Sequence, residues 1–329
     1  MYRLARNITR TVMSACALLT CMPMVAAHAA QGYPSKPVRI ITGTSATFAD
    51  IVSRQIAAQL YERWGHPVIV ENRPGPAQTI STAAAAKAAP DGYTLVMADR
   101  SGIAVAPSLF RNLPYEPIKD LAPITLIAKT PLIMIAHSSV SASNLREFIA
   151  QVKQFPQGLN YASPGPGTAG NLEGELMKQL TGANLVSVHY KGGGAAMLAI
   201  LSGEVNFGLM VPLLAIPHLK TGKVKAFAVT SQDRFTGTPD LPTVTEAGFP
   251  ELRSEYWIGM LAPARTPESI IGKLNADIVD IVRTPAMQST LTAQAAILAP
   301  NSPREFAAFI ESETGKWSKV IRTAGLKAE

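Results

Sequence analysis

The sequence predicts an α/β protein built from two similar βαβ lobes joined by two crossing strands. Short apolar, β-branched runs alternate with amphipathic helical runs, which is the signature of βαβ units and a parallel sheet. The same order of elements returns about 120 residues further on. Two apolar stretches without helical period, "APITLIAKTPLIMIAH" and "YWIGMLAPA", are placed to carry the chain across and back.

In the first lobe, "PVRIIT" reads as a strand. "FADIVSRQIAAQLYERWG" follows as a helix, with Ile51, Ile56 and Leu60 at helical spacing and Gly65 as its stop. "HPVIVEN" is the next strand, "TISTAAAAKAA" a helix ended by Pro90, and "GYTLVMA" a third strand. In the second lobe, "LNYAS", "NLEGELMKQL", "NLVSVHY", "GAAMLAILSG" and "EVNFGLMV" repeat the series strand, helix, strand, helix, strand. In each lobe the first two strands run into glycine-containing loops, which makes the halves alike in topology without a sequence repeat. Two C-terminal helices, "TPESIIGKLNADIVDIVRT" and "SPREFAAFIESETGKWSKVIRTAG", are expected on the first lobe. Phe306, Phe309, Ile310, Trp317, Val320 and Ile321 recur there at helical steps and mark a buried face. The expected division is 30–132 for lobe one, with 252–329 returning to it, and 133–251 for lobe two; the cleft between them is the expected ligand site.

Residues 1–29 read as a secretory signal peptide and are set aside from the fold. Arg3, Arg6 and Arg10 precede the apolar "TVMSACALLTCMPMV", and Ala27-His28-Ala29 is a small-x-small cleavage site. Lipidation is disfavoured because Thr20, not a small residue, precedes Cys21 in "LLTC", and "SAC" comes too early. Both cysteines, Cys16 and Cys21, lie in this segment, so the mature chain has no disulfide or cysteine metal site. The full chain carries 30 Lys and Arg against 23 Asp and Glu; losing three arginines leaves 27 against 23, about +4. That excess is spread out, which suits anionic small molecules and not nucleic acid.

"SPGPGTAGNLEGELMKQL" contains G-x-G-x-x-G at Gly165, Gly167 and Gly170. A dinucleotide site also needs an acid at the end of the second strand, about 20 residues on. His189, Tyr190 and Lys191 stand there instead. The surviving reading is a helix N-terminus whose N–H groups, with Ser163 and Thr168, hold a carboxylate. The first lobe offers a matching turn in "TGTSATFAD", with Thr42, Gly43, Thr44, Ser45 and Thr47 before a helix. Enzyme signatures are missing: there is no G-x-S-x-G elbow, and His66, His137, His189 and His218 have no paired spacing. Glu173 and Glu175, two apart on a helix, point to different faces.

The segments "YPSKPVRIIT", "HPVIVENRPG", "AKAAPDGYTL", "NLPYEPIKDLAPITLIA", "VHYKGGGAAM", "PHLKTGKVKAFAVTS", "LPTVTEAGFPEL" and "WIGMLAPARTP" resemble the Bug family of periplasmic solute-binding proteins, which are associated with tripartite tricarboxylate transporters. The resemblance covers nearly the whole mature chain. It implies a type II periplasmic-binding-protein fold, a cofactor-free monomer that closes on a small carboxylate in the periplasm and delivers it to membrane transporter subunits. A ligand-sensing role for a signalling partner is the alternative, with an exported α/β enzyme behind it. Carried onto this chain, the resemblance implies ligand loops at Gly43, Thr44, Ser45, Ala46 and Thr47, and at the turn from Asp99 through Arg100, Ser101 and Gly102. In the second lobe it implies Ser163, Gly165, Gly167 and Thr168, with Tyr190, Lys191, Gly192 and Gly193. Two departures bear on the ligand: "GTSATF" replaces the family's Pro-Phe-x-Pro-Gly-Gly-like loop, and Met210 stands where relatives often carry Asp. A di- or tricarboxylate or an aromatic acid is therefore expected over an amino acid, with Arg100 offered as a bidentate partner for a second carboxylate. Trp257, on the return crossing, is expected to report closure.

Overall fold

The structure is a computed structural model that describes residues 32–45 and 47–327. The expected signal peptide lies outside the described residues.

The first lobe opens with β1 (Val38–Thr42), α1 (Phe48–Trp64), β2 (Val68–Asn72), α2 (Thr79–Ala86) and β3 (Thr94–Asp99). α1 forms where the apolar spacing places it, burying Val52, Ile56 and Leu60. Thr47 caps its start by accepting from the Asp50 N–H, and Gly65, at φ 69°, closes its end in the left-handed conformation that glycine adopts without strain. After β3 a π-helical turn (Ser101–Val105) leads into short α3 (Ala106–Leu109), then α4 (Pro117–Asp120) and the long β4 (Leu121–Pro131).

β5 (Ile133–His137) starts the second lobe. α5 (Leu145–Lys153), β6 (Leu159–Ser163), α6 (Ala169–Thr181), β7 (Leu185–His189), α7 (Gly193–Leu201), β8 (Phe207–Met210), α8 (Pro212–Lys220) and β9 (Val224–Val229) follow. The chain returns through β10 (Glu255–Pro263) and ends with α9 (Glu268–Val282), α10 (Pro285–Ala293), β11 (Ile297–Leu298) and α11 (Pro303–Ala324).

Two sheets result, ordered β11-β4-β10-β3-β1-β2 and β7-β6-β8-β5-β9. In each, three strands are parallel, β1 between β2 and β3, and β6 between β7 and β8. The expectation of parallel sheets holds only for these cores. β10 docks antiparallel against β3, and β5 antiparallel against β8, so both sheets are mixed. The reason is topological: each strand enters from the opposite lobe and fills the edge left open by the third parallel strand. The lobes are thus alike, with β10 and β5 in equivalent places.

The two crossings run side by side at Leu132, Thr230 and Ser254, all buried. The Leu132 N–H donates to Thr230 Oγ1 (2.8 Å), the Thr230 N–H to the Leu132 carbonyl (3.0 Å), and the Ser254 N–H to the Thr230 carbonyl (3.0 Å). α11 also spans the lobes. Its Phe306, Ile310, Trp317 and Val320 share one core with Leu172 and Leu176 of α6, and Gln179 Nε2 donates to the Val320 carbonyl at 2.9 Å.

Candidate functional site

The glycine loop between β6 and α6 is shaped by its own side chains. Gly165 (φ 131°) and Gly167 (φ 72°) take backbone conformations that side chains resist. The Gly165 N–H donates to Ser163 Oγ (3.3 Å) and the Gly167 N–H to Asn171 Oδ1 (3.0 Å), so these two predicted ligand donors are already engaged. Ser163 Oγ also lies 3.0 Å from His189 Nδ1. The Thr168 hydroxyl turns back to the Gly165 carbonyl (2.7 Å) and leaves the first turn of α6 without a side-chain cap. The third glycine of the pattern, Gly170, is required by packing: a Cβ there would sit 2.8 Å from the Leu209 carbonyl of β8.

α7 and α8 begin in the same way. Gly192 (φ 91°) precedes α7 without a side-chain cap, and its N–H reaches the carbonyls of Pro164 (3.2 Å) and Tyr190 (2.9 Å), tying the second glycine loop to the first. Val211 precedes α8, also without a side-chain cap. These three helix starts border a cleft of about 300 Å³ whose lining includes Thr168, Gly193 and Met210 of the predicted site, together with Leu132 at the crossing and Leu214. The first lobe contributes Tyr256 of β10. The Tyr190 hydroxyl points elsewhere, to Glu204 Oε1 at 2.7 Å, and Lys191 is exposed.

On the first-lobe side, Asp99 organises the turn that follows β3. Its Oδ2 accepts from the Tyr256 hydroxyl (2.6 Å), and its Oδ1 accepts from the N–H groups of Ser101 (2.8 Å) and Gly102 (3.1 Å). Burial raises the Asp99 carboxyl above the usual carboxylate range, and these hydrogen bonds offset only part of that. Burial and the neighbouring carboxylate push the Tyr256 phenol well up, so it stays a donor. The predicted donors Ser101 and Gly102 are therefore taken by an internal carboxylate.

Arg100 requires the largest correction. Its side chain is 2% exposed, and it forms a two-pronged pair with Glu173 of α6, Nη1 to Oε1 at 2.7 Å and Nη2 to Oε2 at 3.3 Å. Nη1 also reaches the Glu255 carbonyl (3.3 Å), and the guanidinium stacks 4.3 Å over the Trp317 ring. Burial opposes its charge, but Glu173 outweighs burial and holds the pKa above the ordinary arginine value. Arg100 is thus spent on a bond between the lobes. Glu175, as its spacing predicts, faces elsewhere and pairs with Lys178 and the Tyr161 hydroxyl.

The predicted loop after β1 is only partly engaged. Gly43 lies against Gln78, while Thr44, Ser45 and Thr47 are exposed; Ala46 lies outside the described residues. Thr42 Oγ1, at the end of β1, is buried without a hydrogen-bond partner among the described residues. Sequence reasoning missed Gln78, whose Oε1 accepts from the Asp99 N–H (3.0 Å) and so joins the two first-lobe loops. Ala77 and Gln78 both have left-handed backbones (φ 46° and 55°), a conformation that no glycine there announces.

The model of the tripartite tricarboxylate transporter family receptor matches residues 52–326. The chain belongs to this receptor family. The receptor is 32% identical to BugT of Bordetella pertussis over 326 residues, covering 98% of this chain and 99% of BugT. A Rhodopseudomonas palustris protein solved with adipate superposes with a TM-score of 0.75 at 29% identity, over 90% of the receptor and 100% of that chain. MatC from R. palustris, solved with bound malate, gives a TM-score of 0.72 at 31% identity, over 88% and 100%. The family is one of periplasmic solute-binding receptors, not enzymes, and the two-lobed periplasmic-binding fold expected from the residues is the one observed. Among the described residues, no group of three or more His, Cys, Asp and Glu side chains is placed to hold a metal ion.

Proposed function

We propose that the receptor captures a small carboxylate between its lobes in the periplasm and hands it to the membrane subunits of a tripartite transporter. One observation carries this reading: the starts of α6, α7 and α8, none with a side-chain cap, border a single cleft between the lobes. A helix start presents unpaired N–H groups and the positive end of the helix dipole, and three of them favour an anion without any cationic side chain. The relatives solved with adipate and malate support a carboxylate as the anion. Tyr256 places a first-lobe surface against these second-lobe helices, so ligand contact couples to closure. Residues 1–29 supply the export signal that this location requires.

A thermal-shift screen of the purified exported protein tests the proposal. A ligand at 100 times its Kd adds about 2.7 kcal/mol of stability. At about 2.1 cal/mol/K per residue, that is roughly 4 °C for a chain of some 300 residues. Carboxylic acids are expected to give this shift; a response to sugars or nucleotides alone would sink the reading.

A further inference from the structure

We infer that the ligand carries a single carboxylate on an apolar body, with no second charge. This rests on the carboxylate-receptor reading and narrows it. The cleft that holds the three helix starts is otherwise walled by Leu132, Leu209, Met210, Val211 and Leu214, with Tyr256 opposite. None of the described lining residues is Lys, Arg or His. The buried cation nearest in sequence to the first-lobe turn, Arg100, has its guanidinium occupied by Glu173 and the Glu255 carbonyl. A second carboxylate would therefore leave water for an apolar wall without a partner, which is strongly unfavourable.

An α-amino group fares no better. None of the described lining residues is Asp or Glu. Asp99, behind Tyr256, is committed to the Tyr256 hydroxyl and two backbone N–H groups. Apolar groups on the ligand, by contrast, match the wall. A dry apolar cavity of roughly 150 Å³ accommodates benzene in another protein. The space here, about 300 Å³, has room for one ring or one branched chain beyond the carboxylate.

Matched probes make the test direct. Hexanoate and adipate have the same carbon chain and differ by one terminal carboxylate; 4-methylpentanoate and leucine differ by the α-amine. Titration calorimetry with these four, plus phenylacetate and succinate, is expected to rank every monoacid at least on the order of a hundredfold tighter than its charged counterpart, a second unpaired charge being so costly to bury. Adipate or succinate binding as tightly as hexanoate would overturn the inference while leaving the carboxylate receptor intact. Heat with none of the acids would overturn that reading itself. Leu214, half-buried at the start of α8, provides an independent arm. Leu214→Lys is expected to weaken hexanoate and to bring adipate at least tenfold closer to it, while Met210→Gln weakens hexanoate without improving adipate. An unchanged hexanoate-to-adipate ratio in Leu214→Lys would show that the ligand does not lie against this wall.

Discussion

Removing Glu173 separates the two roles open to Arg100. In Glu173→Ala, the guanidinium keeps only the Glu255 carbonyl (3.3 Å) and the Trp317 ring (4.3 Å), and the Ser254 hydroxyl, which donates to Glu173 Oε1 at 2.8 Å, loses its acceptor. Both charged side chains are almost wholly buried, 2% and 1% exposed, so water cannot replace the lost carboxylate. Breaking such a pair by deleting one partner costs about 3–5 kcal/mol. With about 0.6 kcal/mol per degree for a chain of this size, Tm should fall by roughly 5–8 °C. Replacing both partners by apolar residues removes the stranded charge, so Arg100→Met with Glu173→Leu should recover at least half of the loss, as buried pairs elsewhere do. Calorimetric or circular-dichroism melting of the wild type, both single variants and the double variant measures this coupling. A ligand-gripping arginine gives the opposite pattern. If Glu173→Ala melts within 1 °C of wild type while Arg100→Met loses acid binding by a hundredfold, the structural role assigned to Arg100 is wrong.

Three further outcomes are expected. Gly174→Ala would place a Cβ 2.5 Å from the buried Tyr161 ring, an overpacking worth about 1–3 kcal/mol, so its Tm should fall by roughly 2–5 °C. At Asp277, burial pushes the carboxyl up, but hydrogen bonds from Trp64 (2.7 Å), Lys273 (2.9 Å) and Arg63 (3.1 Å) outweigh it and leave the folded pKa below the ordinary value. A depressed folded pKa means stabilisation that is full above the unfolded value, near 4, and lost as pH falls through the folded one; Asp277→Asn should lower Tm at pH 7, and the gap from wild type should close in acid. A gap that persists in acid would place the effect in packing instead. Trp257, wholly buried between Phe306 and Phe309 on the return crossing, should carry most of the ligand-induced emission change, and an undiminished signal in Trp257→Phe would exclude it as the reporter.

The elements that sequence reading found are those whose local signals agree with their tertiary role. β1, β3 and β6 are β-branched or apolar runs, and α1 has both its apolar spacing and its glycine stop. α5 was legible but not read: Leu145, Phe148, Ile149 and Val152 follow helical spacing, with Asn144 as its cap. α8 hides behind Pro212 and Pro217, which argue against a helix when read locally. The antiparallel docking of β5 and β10 was beyond local signals, because strand direction at a sheet edge is decided by the chain path between lobes. The site divides along the same line. Glycines and hydroxyls before α6 and α7 marked where a ligand would approach, yet the use of each N–H depended on side chains folding back, Ser163 onto Gly165 and Asn171 onto Gly167. Arg100 was misread because its partner lies 73 residues away.

The G-x-G-x-x-G pattern shows how one backbone solution serves different chemistry. In a dinucleotide fold the first glycine makes the turn, the second lets a pyrophosphate approach the backbone, and the third packs helix on strand. Gly165 and Gly170 keep the first and third duties here, as the φ of 131° and the 2.8 Å approach to the Leu209 carbonyl show. Gly167 does not keep the second. The space its side chain would fill is occupied by Leu109 of α3, whose Cδ2 would lie 2.6 Å from a Cβ at that position. The missing side chain lets the opposite lobe approach, where a dinucleotide fold would admit a phosphate. The anion-favouring surface is displaced one turn onward, to the uncapped start of α6 beside α7 and α8. The glycines therefore specify a strand-to-helix geometry and an interlobe contact, and the character of the ligand is left to the residues lining the cleft.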